Sequence, residues 1–267
     1  MWRRCVKLAL RCGRMLGSRR LGRRLARLPA VPLAGLTVVL MIASAAQSQR
    51  PAPAPASDIA PAGRVARPPR LVAPAPGSYV LPVIQLGPAG TVLDTAGRAV
   101  PLQEHTRGRV TLLSFMYTYC VDPTGCPLLF STMYGLHERL QATPDLARRV
   151  RLVSLSFDPV NDTPETMARY GGSLARTDKP VRWDFLTGRS VAELQPILAD
   201  LGQPVAIQLD AEGKPARLYY HMLKLFLFDR QGRVREIYSS AFLQPDMIYN
   251  DIRTLLLEED ASRVAGK

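Results

Sequence analysis

No acidic residue occurs before Asp58, although ten lysines and arginines fall between Arg3 and Arg27. Of the formal net charge of +13, those ten carry +10 and leave +3 for the rest of the chain. The basic character therefore belongs to the first thirty residues, and no basic face is left for a nucleic-acid partner. Cysteine is equally scarce, with four in 267 residues. Cys5 and Cys12 lie in the basic leader, so the remainder has one pair, Cys120 and Cys126, which excludes a disulfide-dense scaffold. No C-x-x-C pair is present, and this counts against general thioredoxin-type oxidoreductase activity. There are only three histidines. No internal repeat is found, so solenoid and propeller architectures are set aside.

The leader is a positive flank followed by an apolar segment of 16 residues, 31–46, which ends in Ser44-Ala45-Ala46 before polar Gln47. That is an export pattern. The segment is shorter than the roughly 20 residues that span a bilayer comfortably, yet long for a signal core. A cleaved peptide and a retained inner-membrane anchor both stay open, with the Ala-rich end favouring cleavage. In either case the positive end stays in the cytoplasm and the rest of the chain is expected on the periplasmic side. Ser18-Arg19-Arg20 in so Arg-rich a stretch is read as a chance pair rather than twin-arginine export.

Residues 47–77 are dominated by Pro and Ala and show neither helical nor strand periodicity, so they read as an extended tether. The folded domain is expected over 78–267. Short apolar pieces alternate with turn signals from Tyr79 to Leu102, which predicts a hairpin-like N-terminal extension. Residues 110–117 form a continuous apolar run suited to a central strand. A helix follows Cys126, with Pro127 in its first turn and Leu129, Met133, Leu136 and Leu140 on one face.

Residues 150–157 predict a second central strand, and Asp162 or Thr163 caps the next helix. A short strand is expected at 181–186. Ser190 to Glu193 has the form of a capping box, although Pro196 argues for a kink or a late start. Residues 223–228 and 234–238 predict a hairpin, and Pro245 opens a last helix ending near Glu259. The order points to an α/β fold, a thioredoxin-like central mixed sheet flanked by helices.

Cys120 and Cys126 lie on the strand-to-helix loop, where binding residues concentrate. A disulfide closed over five intervening residues would restrict the unfolded chain little, so chemistry is favoured over a structural staple. Two thiolates with an imidazole make a three-coordinate site for copper(I), which is soft. Cys126, beside a helix start, is expected to have a lowered pKa. His137 lies about 16 Å along the helix from its start, too far to share a ligand. His105 falls in a polar segment, 103–109, read as a solvated loop. His221 stands at the end of a sheet element and by itself reads as an ordinary partly buried histidine. Asp158 ends the second central strand, and a place near the site and a plain turn before Pro159 weigh equally. Tyr117 and Tyr119 beside Cys120 either exclude water, meet a partner surface or pack the strand end.

Together these segments resemble the Sco/SenC family of membrane-associated copper chaperones. The anchors are TLLSFMYTYC with a following CPLL, then VSLSFDPVNDTPE, WDFLTG, and His221 before LKLFLFDRQGRV. The resemblance covers residues 91 to about 259. It implies copper as the bound ion, His221 as the third ligand beside Cys120 and Cys126, and Asp158 in a supporting place. It also implies delivery to a copper-acceptor protein such as a cytochrome oxidase subunit. The chain departs from the family in one respect: five residues separate the cysteines where members usually have three. Pro123 and Gly125 suggest that the longer loop forms a defined turn. The alternative function is a thiol-disulfide oxidoreductase that reduces the acceptor's cysteines. A non-catalytic module with a structural bridge is the third, and a peroxidase on this fold would rest on analogy alone.

Overall fold

The computed structural model describes residues 72–266. The export or anchor segment 1–46 and most of the tether 47–77 lie outside them. Two strands buried along their whole length set the architecture. β4 (Val110–Met116) and β5 (Val150–Ser156) are buried at every position. They pair in parallel, Val110 against Val150 through Met116 against Ser156. A strand buried on both faces has to be covered on both, and helices cover it.

In chain order the other elements are β1 (Gln85–Leu86), β2 (Thr91–Leu93), β3 (Ala99–Pro101) and α1 (Gln103–Thr106) before β4. Then come α2 (Cys126–Gln141), α3 (Pro144–Ala147), β5, α4 (Pro164–Gly171), β6 (Arg182–Leu186) and α5 (Val191–Asp200). β7 (Val205–Leu209), β8 (Pro215–His221), β9 (Lys224–Phe228), β10 (Arg233–Ser239) and α6 (Pro245–Ala265) complete the domain. The main sheet has the order β1-β10-β9-β4-β5-β6. β4, β5 and β6 run parallel, and β9, β10 and β1 are joined antiparallel. This is the expected mixed sheet with flanking helices.

The apolar spacing on α2 buries Leu129, Met133, Leu136 and Leu140. Thr163 caps α4, its hydroxyl accepting from the Thr166 N–H at 3.3 Å, and Ser190 caps α5 by accepting from the Glu193 N–H at 3.2 Å. α5 starts at its cap and includes Pro196, so the late start is not what forms. The β9–β10 turn is fixed by Asp229, whose Oδ1 accepts from the N–H groups of Gln231 and Arg233, and Gly232 supplies the positive φ of 80° that the turn needs.

Three expectations need correction, on the N-terminal extension, the last helix and His105. The N-terminal extension divides, with β2 and β3 forming the hairpin while β1 joins the edge of the main sheet. Ahead of Ser78, the Pro74 carbonyl accepts from Asn250 at 2.8 Å and the Gly77 N–H donates to Thr254 Oγ1 at 3.0 Å. The last helix runs six residues past Glu259 to Ala265; Asp260, in that added stretch, is bound by Arg149 at 2.8 Å. His105 is not in a solvated loop: it lies on α1 with Nδ1 2.8 Å from Asp184 Oδ2.

Candidate metal centre

Both cysteines sit where β4 gives way to α2, at the carboxyl end of the parallel strands, where open α/β sheets gather their sites. The five residues between them are ordered by a tight turn. The Gly125 N–H donates to the Asp122 carbonyl at 3.0 Å, and Asp122 Oδ1 accepts from the Thr124 N–H and hydroxyl at 2.9 and 2.8 Å. Pro123 takes the second position of this turn, where its fixed φ suits it. The longer loop is therefore the defined turn expected from Pro123 and Gly125.

Cys120 is half-buried, Cys126 is buried, and both are free. The two thiols lie close enough for Cys120 to act on the titration of Cys126, and the Tyr117 backbone acts on it as well. The expected lowering of the Cys126 pKa is overturned. Burial pushes it up to about 12 and the neighbouring Cys120 adds to the rise, against the backbone hydrogen bonds that favour thiolate. Cys126 is the first residue of α2, but its sulfur packs into the core instead of facing water, so desolvation outweighs the helix terminus.

His221 arrives from an element the sequence reading missed. β7 and β8 form a separate two-stranded sheet, with Val205 paired to His221. This hairpin rests on the ends of β4 and β5 through aromatic side chains. Tyr219 lies 5.1 Å from Tyr117 and 5.2 Å from Phe157 between ring centroids, and His221 lies 5.0 Å from Phe157 and 6.1 Å from Tyr117. Tyr117 thus packs against His221 and also lies near Cys120. Burial lowers the His221 pKa, against weaker pulls from the Met222 backbone and the Asp122 carboxylate, so the ring is neutral near pH 7. Its Nδ1 is buried without a hydrogen-bond partner. Among the described residues no three His, Cys, Asp or Glu side chains are grouped closely enough to hold a metal ion.

Asp158 forms a turn and is also bound through its carboxylate. Its carbonyl accepts from the N–H groups of Asn161 and Asp162, forming the turn, while its buried carboxylate accepts from the Tyr119 hydroxyl and from Asn161 Nδ2 at 2.8 Å. Tyr119 connects it to the cysteine loop. Asp162, considered only as a helix cap, has the larger part in this loop. It accepts from the Thr118 N–H at 3.0 Å, the Thr118 hydroxyl at 2.5 Å and the Ser156 hydroxyl at 2.6 Å. The only advance signal was a second aspartate four residues after Asp158. His137 is buried against Trp183, with Nε2 3.2 Å from the Val181 carbonyl, and takes no part.

Residues 85–257 match the family model described as SCO1/SenC. A SCO1 protein homolog from Bacillus subtilis is 30% identical over 165 residues, spanning 61% of this chain and 79% of that protein. The structure of Bradyrhizobium japonicum ScoI with copper bound is 24% identical, covering 63% of this chain and 98% of that one at a TM-score of 0.50. A SCO1/SenC family lipoprotein from Bacillus anthracis is 22% identical, covering 67% and 99% at a TM-score of 0.53. The fold is that of these thioredoxin-like proteins, and with a family model matched over well beyond half its length, this chain belongs to the SCO1/SenC family.

Proposed function

We propose that the protein is an exported copper metallochaperone that binds one ion through Cys120, Cys126 and His221 and passes it to the copper site of a respiratory oxidase. The observation that carries this reading is the donor chemistry. Two free thiols lie close together at the strand end, and a neutral imidazole with an unpartnered nitrogen is docked on the same strand ends. Two sulfurs and an imidazole suit copper(I). A relative of the same fold is described with copper bound. The donors are not closed around a centre in this arrangement, so binding draws the Cys120–Cys126 loop and the end of β8 together. Metal coordination replaces the thiol protons, so the raised Cys126 pKa makes uptake release protons.

Ligand exchange with an acceptor needs a docking face, and Val121, Tyr220 and Met222 flank the donors while 77%, 64% and 57% exposed. The basic leader and apolar segment support a place on the periplasmic side of the inner membrane, anchored through 1–46 or soluble after cleavage, with 47–77 as the tether. Thiol-disulfide exchange with the acceptor is the second reading, favoured by the closeness of the thiols. The thiolate is the nucleophile, so a Cys126 pKa near 12 weighs against it.

Titrating the reduced full chain with copper(I) against a chromogenic chelator tests the ligand set. One ion per chain is expected, with affinity abolished in the double Cys→Ser variant. His221→Ala should weaken it by at least tenfold, about 1.4 kcal/mol. Undiminished binding by His221→Ala would remove His221 from the site.

A further inference from the structure

The far end of the parallel strands holds a charged cluster that takes no part in the chemistry above. Arg151, second residue of β5, is only 8% exposed. Its Nη1 donates to the Glu104 carbonyl at 2.6 Å, but its Nε has no hydrogen-bond partner. Arg182 Nε and Arg109 Nη1 are likewise buried and unpartnered. The buried carboxylate among them is Asp184, and it is shared. His105 Nδ1 lies 2.8 Å from it, Arg182 Nη2 2.9 Å and Arg151 Nε 3.6 Å.

One carboxylate cannot neutralise these guanidinium groups, which do not lose their protons. Burial lowers the Arg151 pKa, and the charges of Arg182 and Arg109 add to this against Asp184. The other two carboxylates nearby do not restore the balance. Asp94 is occupied by the Arg98 guanidinium at 2.7 Å and by the N–H groups of Ala96 and Arg98 at 2.9 Å, and Glu104 is exposed. Arg151, Arg182 and Asp184 line a cavity of about 230 Å³, whose wall also includes Glu104 and His105 from α1 and Asp94 and Arg98 from the β2–β3 turn.

We propose that this cavity binds a small oxyanion, a carboxylate or phosphate group, held by the guanidinium groups of Arg151 and Arg182. Guanidinium presents a planar fork of donors that matches either group, and its charge makes each hydrogen bond roughly twice as strong as a neutral one. The cavity is smaller than the roughly 300 Å³ at which drug-sized pockets begin, which fits an ion or a small metabolite. Arg151 is five residues from Ser156 at the other end of β5, roughly 17 Å at the rise of a strand, so the site is separate from the cysteines.

Calorimetric titration of the full chain with sodium phosphate, sulfate and acetate, at ionic strength matched with chloride, tests this. Saturable binding at one site per chain is expected for at least one of these anions. Saturation by acetate assigns a carboxylate ligand, and saturation by phosphate alone assigns a phosphate-bearing one. Arg182→Gln, whose side chain is 36% exposed and whose fold is checked by circular dichroism, should weaken binding at least tenfold. Arg176→Gln, which removes a surface arginine paired with Asp178, should leave binding unchanged. Heats that never saturate, or equal losses in the two variants, would overturn the proposal and leave only a general salt effect.

Discussion

Asp162 is fully buried, and three donors converge on its carboxylate. Burial pushes its pKa up, while the hydrogen bonds from Ser156 and Thr118 oppose the rise. Asp162→Ala would leave the Thr118 N–H and two hydroxyls without their acceptor. A stranded buried donor costs about 1–3 kcal/mol, so we expect a loss of about 2–4 kcal/mol in urea unfolding. Because Thr118 is two residues from Cys120, the variant should also react faster at Cys120 with a thiol reagent. Unchanged reactivity would mean that Asp162 serves stability alone. The sequence reading treated Asp162 as a possible cap, a role that Thr163 fills, because its true partner lies 44 residues back in the chain. Cys120 and Cys126 stood out because cysteine is rare, whereas His221 was singled out among three histidines only by the family resemblance. The contact of His105 with Asp184, 79 residues apart, left no mark in either local pattern.

Segments with a strong period or a continuous apolar run were legible, and β4, β5, α2 and the β9–β10 hairpin all formed close to their expected limits. The β7–β8 hairpin was not, since no position of β7 is fully buried and nothing in its pattern separates it from a loop. What defines it is turn chemistry: Asp210 Oδ1 accepts from the N–H groups of Glu212 and Lys214, and Gly213 has φ of 77°. Without it, the residues alone placed His221 at a sheet end, and only the family resemblance set it with the cysteines. In α5 the opposing signals were both real. Ser190 supplies the cap, while Pro196 leaves the Ala192 carbonyl without its helical donor. With that bond missing, the cap carries more of the helix, and Ser190→Ala should lower stability by about 1 kcal/mol in urea unfolding. A change below a few tenths would show that packing of Leu194, Ile197 and Leu198 holds α5 unaided.

Over the whole domain, sheet order was the least legible property, because it depends on which distant segments pair. The same long-range contacts give the protein two buried carboxylates with opposite pH behaviour. Burial alone would raise the Asp184 pKa, but the hydrogen bond and charge of His105, with Arg182 and Arg151, hold it below the ordinary value. Its contribution to stability is therefore complete above the unfolded value of about 3.9 and is lost as pH falls through its depressed folded value. Asp251 behaves in the reverse sense. Burial raises it, against hydrogen bonds from Tyr79 and from Tyr238 at 2.7 Å. The folded state takes up this proton first, so stability rises as pH falls from the raised folded value towards about 3.9, and it levels off below. Urea midpoints from pH 3 to 7 should separate the two. Relative to Asp251→Asn, the parent chain should gain stability on acidification above about pH 4; relative to Asp184→Asn, it should hold a constant margin there and lose it only below. Parallel curves for all three proteins would mean that neither carboxylate has a folded-state pKa different from its unfolded one.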